Sequence, residues 1–354
     1  MPAFWTNYLS NLPNLSNDKN ILSPLVVTYY LTTRCNLNCM YCEEFGARRN
    51  DSAQQADFEQ AIQILKIIRG ATDRVVITGG EPMLHPQVEE ILRKAKEELG
   101  FKWITMLSNG SLLEPNSEAL NYLDHVVISL DSLNLDKWHK VIGSSLDVAE
   151  SIFEHILGLA TEQRSRGYRL SLNCVLTKDT LIDVKGLLNF CEKHDLSISF
   201  SPQAVDNWPE YGLVVSKEYQ ELLKWLLARK RSGAPIIGSQ RYFATLIEFK
   251  PYRCYPLLAP RVMPEGDLIY PCRPIEKEND GRGGRINLFD FPNWQEAMKD
   301  QFAAYGPAPQ GCSSCFQQCY AEPSLMQAAP VAWLFEQIRY PFSRQVNLAS
   351  YPPG

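Results

Sequence analysis

From about residue 25 to residue 203 the chain alternates between two hydrophobic rhythms. Short apolar runs rich in β-branched and aromatic residues predict strands, and longer stretches with apolar residues three and four apart predict helices. Leu25 to Leu31 (LVVTYYL) reads as the first strand. Asp57 to Arg69 reads as a helix, with Phe58, Ile62, Leu65 and Ile68 on one face. Arg74 to Thr78 is a second strand, stopped by Gly79-Gly80. Pro86 to Leu99 is a helix with proline at a favourable first position.

Four more strands follow, at Trp103 to Leu107, Val126 to Leu130, Leu170 to Leu176 and Ser197 to Phe200. Helices are predicted at Leu146 to Arg166 and Leu181 to His194. Six strands separated by helix-sized connections imply an α/β fold with a parallel sheet. Periodicity does not decide whether that sheet lies open or curls into a partial barrel. After residue 203 the rhythm changes. One more helix, Ser216 to Lys230, precedes a stretch rich in proline, glycine and cysteine, with a short strand at Asp267 to Tyr270. The expected organisation is an N-terminal extension (1–24), a core (25–235), a cysteine-rich domain (236–325) and a C-terminal helix and tail (326–354). The tail from Met326 to Tyr340 reads as one amphipathic helix that docks on the core.

Charge and composition narrow the partners. The 354 residues carry a net charge of −5 and no basic stripe, so nucleic acid is not an expected partner. The basic run Arg229, Lys230 and Arg231 ends a helix, where a solvated cap or a partner for the helix dipole is expected. No export signal opens the chain and no apolar run is long enough to cross a bilayer, so no membrane role is expected. A soluble, cytoplasmic protein is the expectation. Ten cysteines are many for such a chain, and eight fall into two groups, a pattern that favours metal binding over disulfides. Cys174 and Cys191 stand apart and are expected to pack in the core.

The first group, Cys35-Asn-Leu-Asn-Cys39-Met-Tyr-Cys42, follows the first strand directly. Three thiolates in one tight loop suit three corners of a [4Fe–4S] cluster, and no fourth cysteine is near. One iron would stay open to an external chelator. A closed zinc site completed by Glu43 or Glu44 is the alternative. Further along stand Thr78-Gly79-Gly80-Glu81-Pro82, then Ser108-Asn109-Gly110 and Ser129-Leu130-Asp131-Ser132. Each closes a strand, where ligand contacts gather in parallel sheets. Glycine allows close approach of backbone, and Glu81 can accept from an ammonium. Turn capping by small polar residues is the alternative for the two serine-containing stretches. Asn173, in the fifth strand, faces either the same ligand or the core.

C-x3-C-x-aromatic-C after a first strand resembles the radical S-adenosylmethionine (SAM) superfamily. The resemblance implies a partial (β/α)6 barrel. It also implies a [4Fe–4S] cluster on Cys35, Cys39 and Cys42 that binds SAM through its open iron. Reductive cleavage would then give a 5′-deoxyadenosyl radical that abstracts hydrogen from a substrate. By the same resemblance Tyr41, Gly79, Gly80, Glu81, Pro82, Ser108, Asn109, Ser129, Asp131 and Asn173 lie around SAM. An electron donor of flavodoxin or ferredoxin type is implied. Relatives continue past the Ser-Leu-Asp stretch to an Arg-Gly pair; here the stretch is His139-Lys140-Val141-Ile142-Gly143, without the arginine.

The second group is Cys254, Cys272, Cys312, Cys315 and Cys319, spaced C-x17-C and then C-x2-C-x3-C. Four thiolates from two distant segments suit either a fully ligated iron–sulfur cluster or structural zinc. This region resembles the twitch extension of the superfamily, a reduced SPASM domain, and the closing cysteines resemble those of the aminocyclitol dehydrogenase group. One auxiliary [4Fe–4S] cluster is implied, preferably on Cys254, Cys272, Cys312 and Cys315, with Cys319 as a substitute ligand or a hydrogen donor. Three functions are open. The first is dehydrogenation or epimerisation of a small molecule. The second is maturation of a peptide substrate through thioether or carbon–carbon crosslinks. The third is a non-catalytic iron–sulfur or zinc protein.

Overall fold

A computed structural model describes residues 3–16, 21–308 and 315–339. Six strands run parallel in sequence order: β1 (Val27–Thr32), β2 (Arg74–Gly79), β3 (Trp103–Ser108), β4 (His125–Ser129), β5 (Arg169–Leu176) and β6 (Ser197–Pro202). All six match the predicted runs to within two residues. The helices α2 (Phe58–Ala71), α3 (Val88–Arg93), α4 (Leu135–Val141), α5 (Leu146–Arg166) and α6 (Val184–His194) fill the crossovers. A nine-residue helix, α1 (Ala3–Asn11), precedes them. Its first N–H groups, on Ala3 and Phe4, donate to the Asp73 carboxylate at 2.8 and 3.3 Å.

Local chemistry sets the helix ends. Asp57 and Gln60 form a reciprocal capping box at the start of α2. Ser145 caps α5, and Gly167 ends it with a left-handed φ of 79°. The segment after β2 departs from its predicted single helix. Pro82–Leu84 makes a short 3-10 turn, Pro86 sits in the following turn, and the α-helix begins only at Val88 before widening into a π-turn at Lys94–Glu98.

The strands show why the two rhythms were readable. One face carries Val75, Ile77, Ile104, Met106, Val126, Ile128, Leu172, Cys174, Ile198 and Phe200, all fully buried in one core with the helices. Alternate residues point the other way. They include Thr78, Thr105, Ser171 and Ser199, with half-buried Ser129 and Asn173 beside them. The outer face is apolar and the inner face is lined by hydroxyls and amides. Cys174 and Cys191 are both fully buried, as expected.

After β6 come a two-residue ribbon, β7 (Ala204–Val205) and β8 (Trp208–Pro209), and the helices α7 (Tyr211–Val214), α8 (Lys217–Arg231) and α9 (Gln240–Glu248). The chain then returns to the same sheet on the far side of β1. β9 (Arg261–Val262) runs parallel to β1, with Arg261 opposite Thr28. β10 (Asp267–Tyr270) and β11 (Gly284–Asn287) continue antiparallel, giving the order β11-β10-β9-β1-β2-β3-β4-β5-β6. No closed barrel forms among the described residues. The helices α10 (Arg273–Glu278), α11 (Trp294–Tyr305), α12 (Gln318–Ala328) and α13 (Pro330–Arg339) complete the described chain. No helix among the described residues is long and apolar enough to cross a membrane.

Two expectations change here. The tail is not one helix, because Pro330 starts a new one and Ala329 breaks the run. Lys230 is not a solvated cap. Its side chain is 1% exposed, and Nζ donates to the Ile236 carbonyl at 3.1 Å and faces Glu336 at 3.6 Å. The returning chain and α13 cover it, which no local signal in α8 announces.

His125 tests the burial of the inner face. Its Nε2 pairs with Ser171 Oγ at 2.9 Å. Burial, and then the Arg169 cation, push its pKa from 6.5 down to about 3. A histidine with a lowered folded-state value stabilises the fold above its unfolded value and loses that contribution as pH falls toward the folded one. Thermal unfolding followed by circular dichroism should therefore show a melting point that falls as pH drops below about 6.5. His125→Gln should make that fall shallower. An equal slope in both proteins would show that His125 does not stay neutral in the fold.

Candidate functional site

The loop after β1 carries Cys35, Cys39 and Cys42, and it is held from three sides. From β2, Gly80 N–H donates to the Thr32 carbonyl at 3.0 Å and Glu81 N–H donates to Arg34 at 2.8 Å. This approach is what requires the two glycines. A Cβ on Gly79 would lie 2.0 Å from Thr32 O, and one on Gly80 would lie 2.2 Å from Arg34 O. From the far side, the end of α4 accepts Asn38 N–H on Ile142 at 3.0 Å and Met40 N–H on Val141 at 2.8 Å. Gly143 sits there with φ +62°, where a Cβ would fall 2.3 Å from Asn38 O. The His139–Gly143 stretch that lacks the arginine thus braces the cysteine loop. The third hold is Asn50. Its Oδ1 accepts from Cys35 N–H at 3.0 Å, and its Nδ2 donates to the Cys35 carbonyl at 2.9 Å. Sequence reading missed Asn50, because only the folded loop brings it back beside Cys35.

The three cysteines line one cavity of about 240 Å³. Tyr41, Gly79, Gly80, Ser108, Asn109 and Ser129 also line it. Glu81 and Asp131 lie behind it, each fully buried. Glu81 accepts from Ser108 Oγ at 2.9 Å, Asn109 N–H at 2.7 Å and Met83 N–H at 3.0 Å, so it brackets the ends of β2 and β3. Burial outweighs those bonds and pushes its carboxyl up to about 7. Asp131 accepts from Tyr41 Oη and from Val175 N–H, both at 2.8 Å. Burial pushes it up to about 6. Pro82 is buried at the start of the turn after Glu81. Asn173 turns its Oδ1 to Ser199 Oγ at 2.9 Å.

The donor set fits an iron–sulfur cofactor. Burial raises the Cys39 thiol to about 12, with Asp131 and the two neighbouring cysteines adding to it, and raises Cys35 likewise. Neighbouring thiolates under cover repel one another, and a cationic centre in place of their protons relieves that repulsion. Soft sulfur donors favour that class of centre.

The second cysteine group also gathers. Cys272 and Cys315 are buried beside Ile275 and Tyr320, with Cys254 and Cys319 packed against them. Cys254 comes from the loop before Pro256, Cys272 from the end of β10, and Cys319 from the first turn of α12. Cys312 lies outside the described residues. The two sites are tied by charge. Glu44, two residues past Cys42, meets Arg273 at 2.9 Å and Lys277 at 2.8 Å on α10. Burial pushes the Glu44 carboxyl up, but Arg261, Lys277 and Arg273 outweigh it and hold it at about 2.

Two other cavities frame the site. One of about 430 Å³ lies between the cysteine loop, the β7–β8 ribbon and α10, and is lined by Glu43, Asp206, Trp208, Lys277 and Glu278 among others. A wider one, about 840 Å³, opens at the opposite ends of the strands beside Asp73, Lys102 and Trp294. It contains no cysteine. Trp208, which lines the smaller of these cavities, and Tyr211 are exposed, whereas Tyr242 and Tyr252 are buried.

Thiols gathered at the carboxyl ends of parallel strands, facing small polar side chains, define an α/β enzyme that works through a bound cofactor. Residues 29–191, a little under half of the chain, match the radical SAM superfamily and mark a radical SAM domain. Its sequence is 29% identical to the GTP 3′,8-cyclase of Aquifex aeolicus over 215 residues, 56% of this chain and 64% of that one. The chain thus spans less than two thirds of the length of the curated relatives it matches. Its fold is similar to Streptococcus suis SuiB bound to S-adenosylmethionine, with a TM-score of 0.59 and 19% identity over 85% of this chain and 70% of that one. It is also similar to anSMEcpe with bound AdoMet, at 0.58 and 16% over 91% and 97%. At these identities the structural likeness is one of fold.

Three substitutions separate bracing from ligation. Gly80→Ala should cost about 3 kcal/mol, because backbone blocks the new methyl group. Gly70→Ala, in α2 with nothing within 4 Å of the added Cβ, should stabilise by about 1 kcal/mol. Asn50→Ala should leave all three loop cysteines in place yet lower the iron retained after gel filtration, by loosening Cys35. Native iron retention in that variant would remove Asn50 from the site.

Proposed function

We propose that this radical SAM enzyme either dehydrogenates a small polar substrate or epimerises it, at a carbon that bears hydrogen. The observation that carries the reading is the shared cavity of Cys35, Cys39 and Cys42 with Gly79-Gly80, Ser108, Asn109 and Ser129. Cys35, Cys39 and Cys42 would hold the first [4Fe–4S] cluster, and the polar rim would hold SAM. When bound, these cofactors supply a 5′-deoxyadenosyl radical for hydrogen abstraction. The chain's own residues orient the cofactor, through Asn109 and the Tyr41–Asp131 pair, and exclude water beneath the loop. The four described cysteines near Tyr320, with Cys312, would hold a second cluster able to accept an electron. A flavodoxin- or ferredoxin-type protein would supply the first electron.

The mouth argues about substrate. GTP is the substrate in the relatives' name, and a triphosphate is recognised by clustered cations. The cavity beside the cysteine loop instead presents Glu43, Asp206 and Glu278 against Lys277, which Glu44 already neutralises. A neutral or amine-bearing substrate fits that surface better than a triphosphate.

Anaerobic reconstitution tests the reading. Reduced protein given SAM should release 5′-deoxyadenosine, and Cys42→Ala should release at least a hundredfold less. Zinc in place of iron, or no 5′-deoxyadenosine, would return the chain to a binding or scaffold role. Cyclised GTP product, or crosslinks in a supplied precursor peptide, would overturn the small-molecule assignment.

A further inference from the structure

Between the two cysteine sites lies the guanidinium of Arg261. Arg261 stands on β9, directly beside β1, the strand that ends in the first cysteine loop. Its Nη2 donates to Cys319 Sγ at 3.0 Å and to Gln317 Oε1 at 2.8 Å. Its guanidinium lies 4.8 Å from the centre of the Tyr320 ring, the aromatic around which the second cysteine group packs. Tyr30 and the Glu44 carboxylate lie within electrostatic reach of it. The sequence gives no hint of this. Arg261 is seven residues from Cys254 and fifty-eight from Cys319, and only pairing of β9 with β1 places it there.

We propose that Arg261 is a positioning residue that sets the reduction potential of the second site, and that Cys319 is the ligand through which it acts. The inference rests on the reading that these cysteines hold a cluster. A cluster that takes up one electron gains one negative charge, spread over its ligand sulfurs. A charge-assisted hydrogen bond to a ligand sulfur stabilises that added charge, and so raises the potential. Arg261 supplies the bond and a full positive charge, and the ring of Tyr320 holds the guanidinium plane in place. Glu44 works against it from the first loop, because its carboxylate partly neutralises the same cation. Five cysteines compete for four positions in sequence. The bond to Arg261 favours Cys319 among them, since a cation at sulfur favours the thiolate that ligates over the neutral thiol that donates hydrogen.

The test uses the full chain, reconstituted anaerobically, with iron counted and potentials read by titration under electron paramagnetic resonance. Arg261→Gln should keep the native iron content and lower one potential. The reduced-to-oxidised ratio at fixed potential should fall about tenfold, which is about 59 mV for one electron. Glu44→Gln should shift the same signal upward. Opposite shifts are a signature that simple loss of packing does not produce. The shifting signal should persist when Cys35, Cys39 and Cys42 are all replaced by alanine, and Cys319→Ser should lose it. Should Arg261→Gln shed iron, Arg261→Lys and Glu44→Gln carry the test. Opposite-sign shifts uphold the proposal, and unshifted potentials overturn it. Full iron content in Cys319→Ser also overturns it. Native protein with only about four irons would instead remove the second cluster itself.

Discussion

The site depends on one close approach, that of the turn after β2 to the loop after β1. Gly80 N–H and Glu81 N–H bond to carbonyls of Thr32 and Arg34, at distances where neither Gly79 nor Gly80 has room for a side chain. The approach fixes the start of the cysteine loop against the sheet. It also buries Glu81 where its carboxylate can gather the donors at the end of β3. Three successive strand ends are thereby locked into one surface. The α4 end and Asn50 complete the hold on the cysteines. A cofactor needs ligands that stay in place without it, and backbone hydrogen bonds supply that rigidity more firmly than side-chain packing does.

The sheet divides its two faces between stability and chemistry. The outer face is a continuous apolar layer against the helices. The inner face carries hydroxyls, amides and a neutral histidine. Buried polar groups cost free energy unless paired, and several here are paired with one another, as in His125 with Ser171 and Ser199 with Asn173. The result is a polar interior that also holds the buried Arg74. At the rim, Glu44, Arg273, Lys277 and Arg261 join the cysteine loop to the C-terminal cysteines. The two cysteine-bearing regions therefore meet along one sheet, where β9 pairs with β1.

Much of this was legible in the chain. The six parallel strands, α5 to its last residue, and the cysteine loop after β1 all follow from local signals: side-chain period, capping residues and glycine. The segment after Leu84 was less legible, because Pro86 suits a turn as well as a helix start. The split of the tail at Ala329 was masked by an apolar pattern that continues across it. Lys230 was misread for a related reason. Its place at a helix end predicts solvent, but the chain that covers it arrives from residue 236 and from α13.

The sequence by itself determined the fold class, the family and the three thiols, because each is written in neighbouring residues whose spacing is fixed by covalent geometry. Tertiary structure decided what those residues meet. It placed Asn50 on Cys35, Gly143 beneath Asn38 and Arg261 on Cys319, and it brought the second cysteine group back to the edge of the first strand. Such contacts join residues tens to hundreds of positions apart. Their cost in chain entropy is met only when the whole sheet assembles, so no local pattern could announce them.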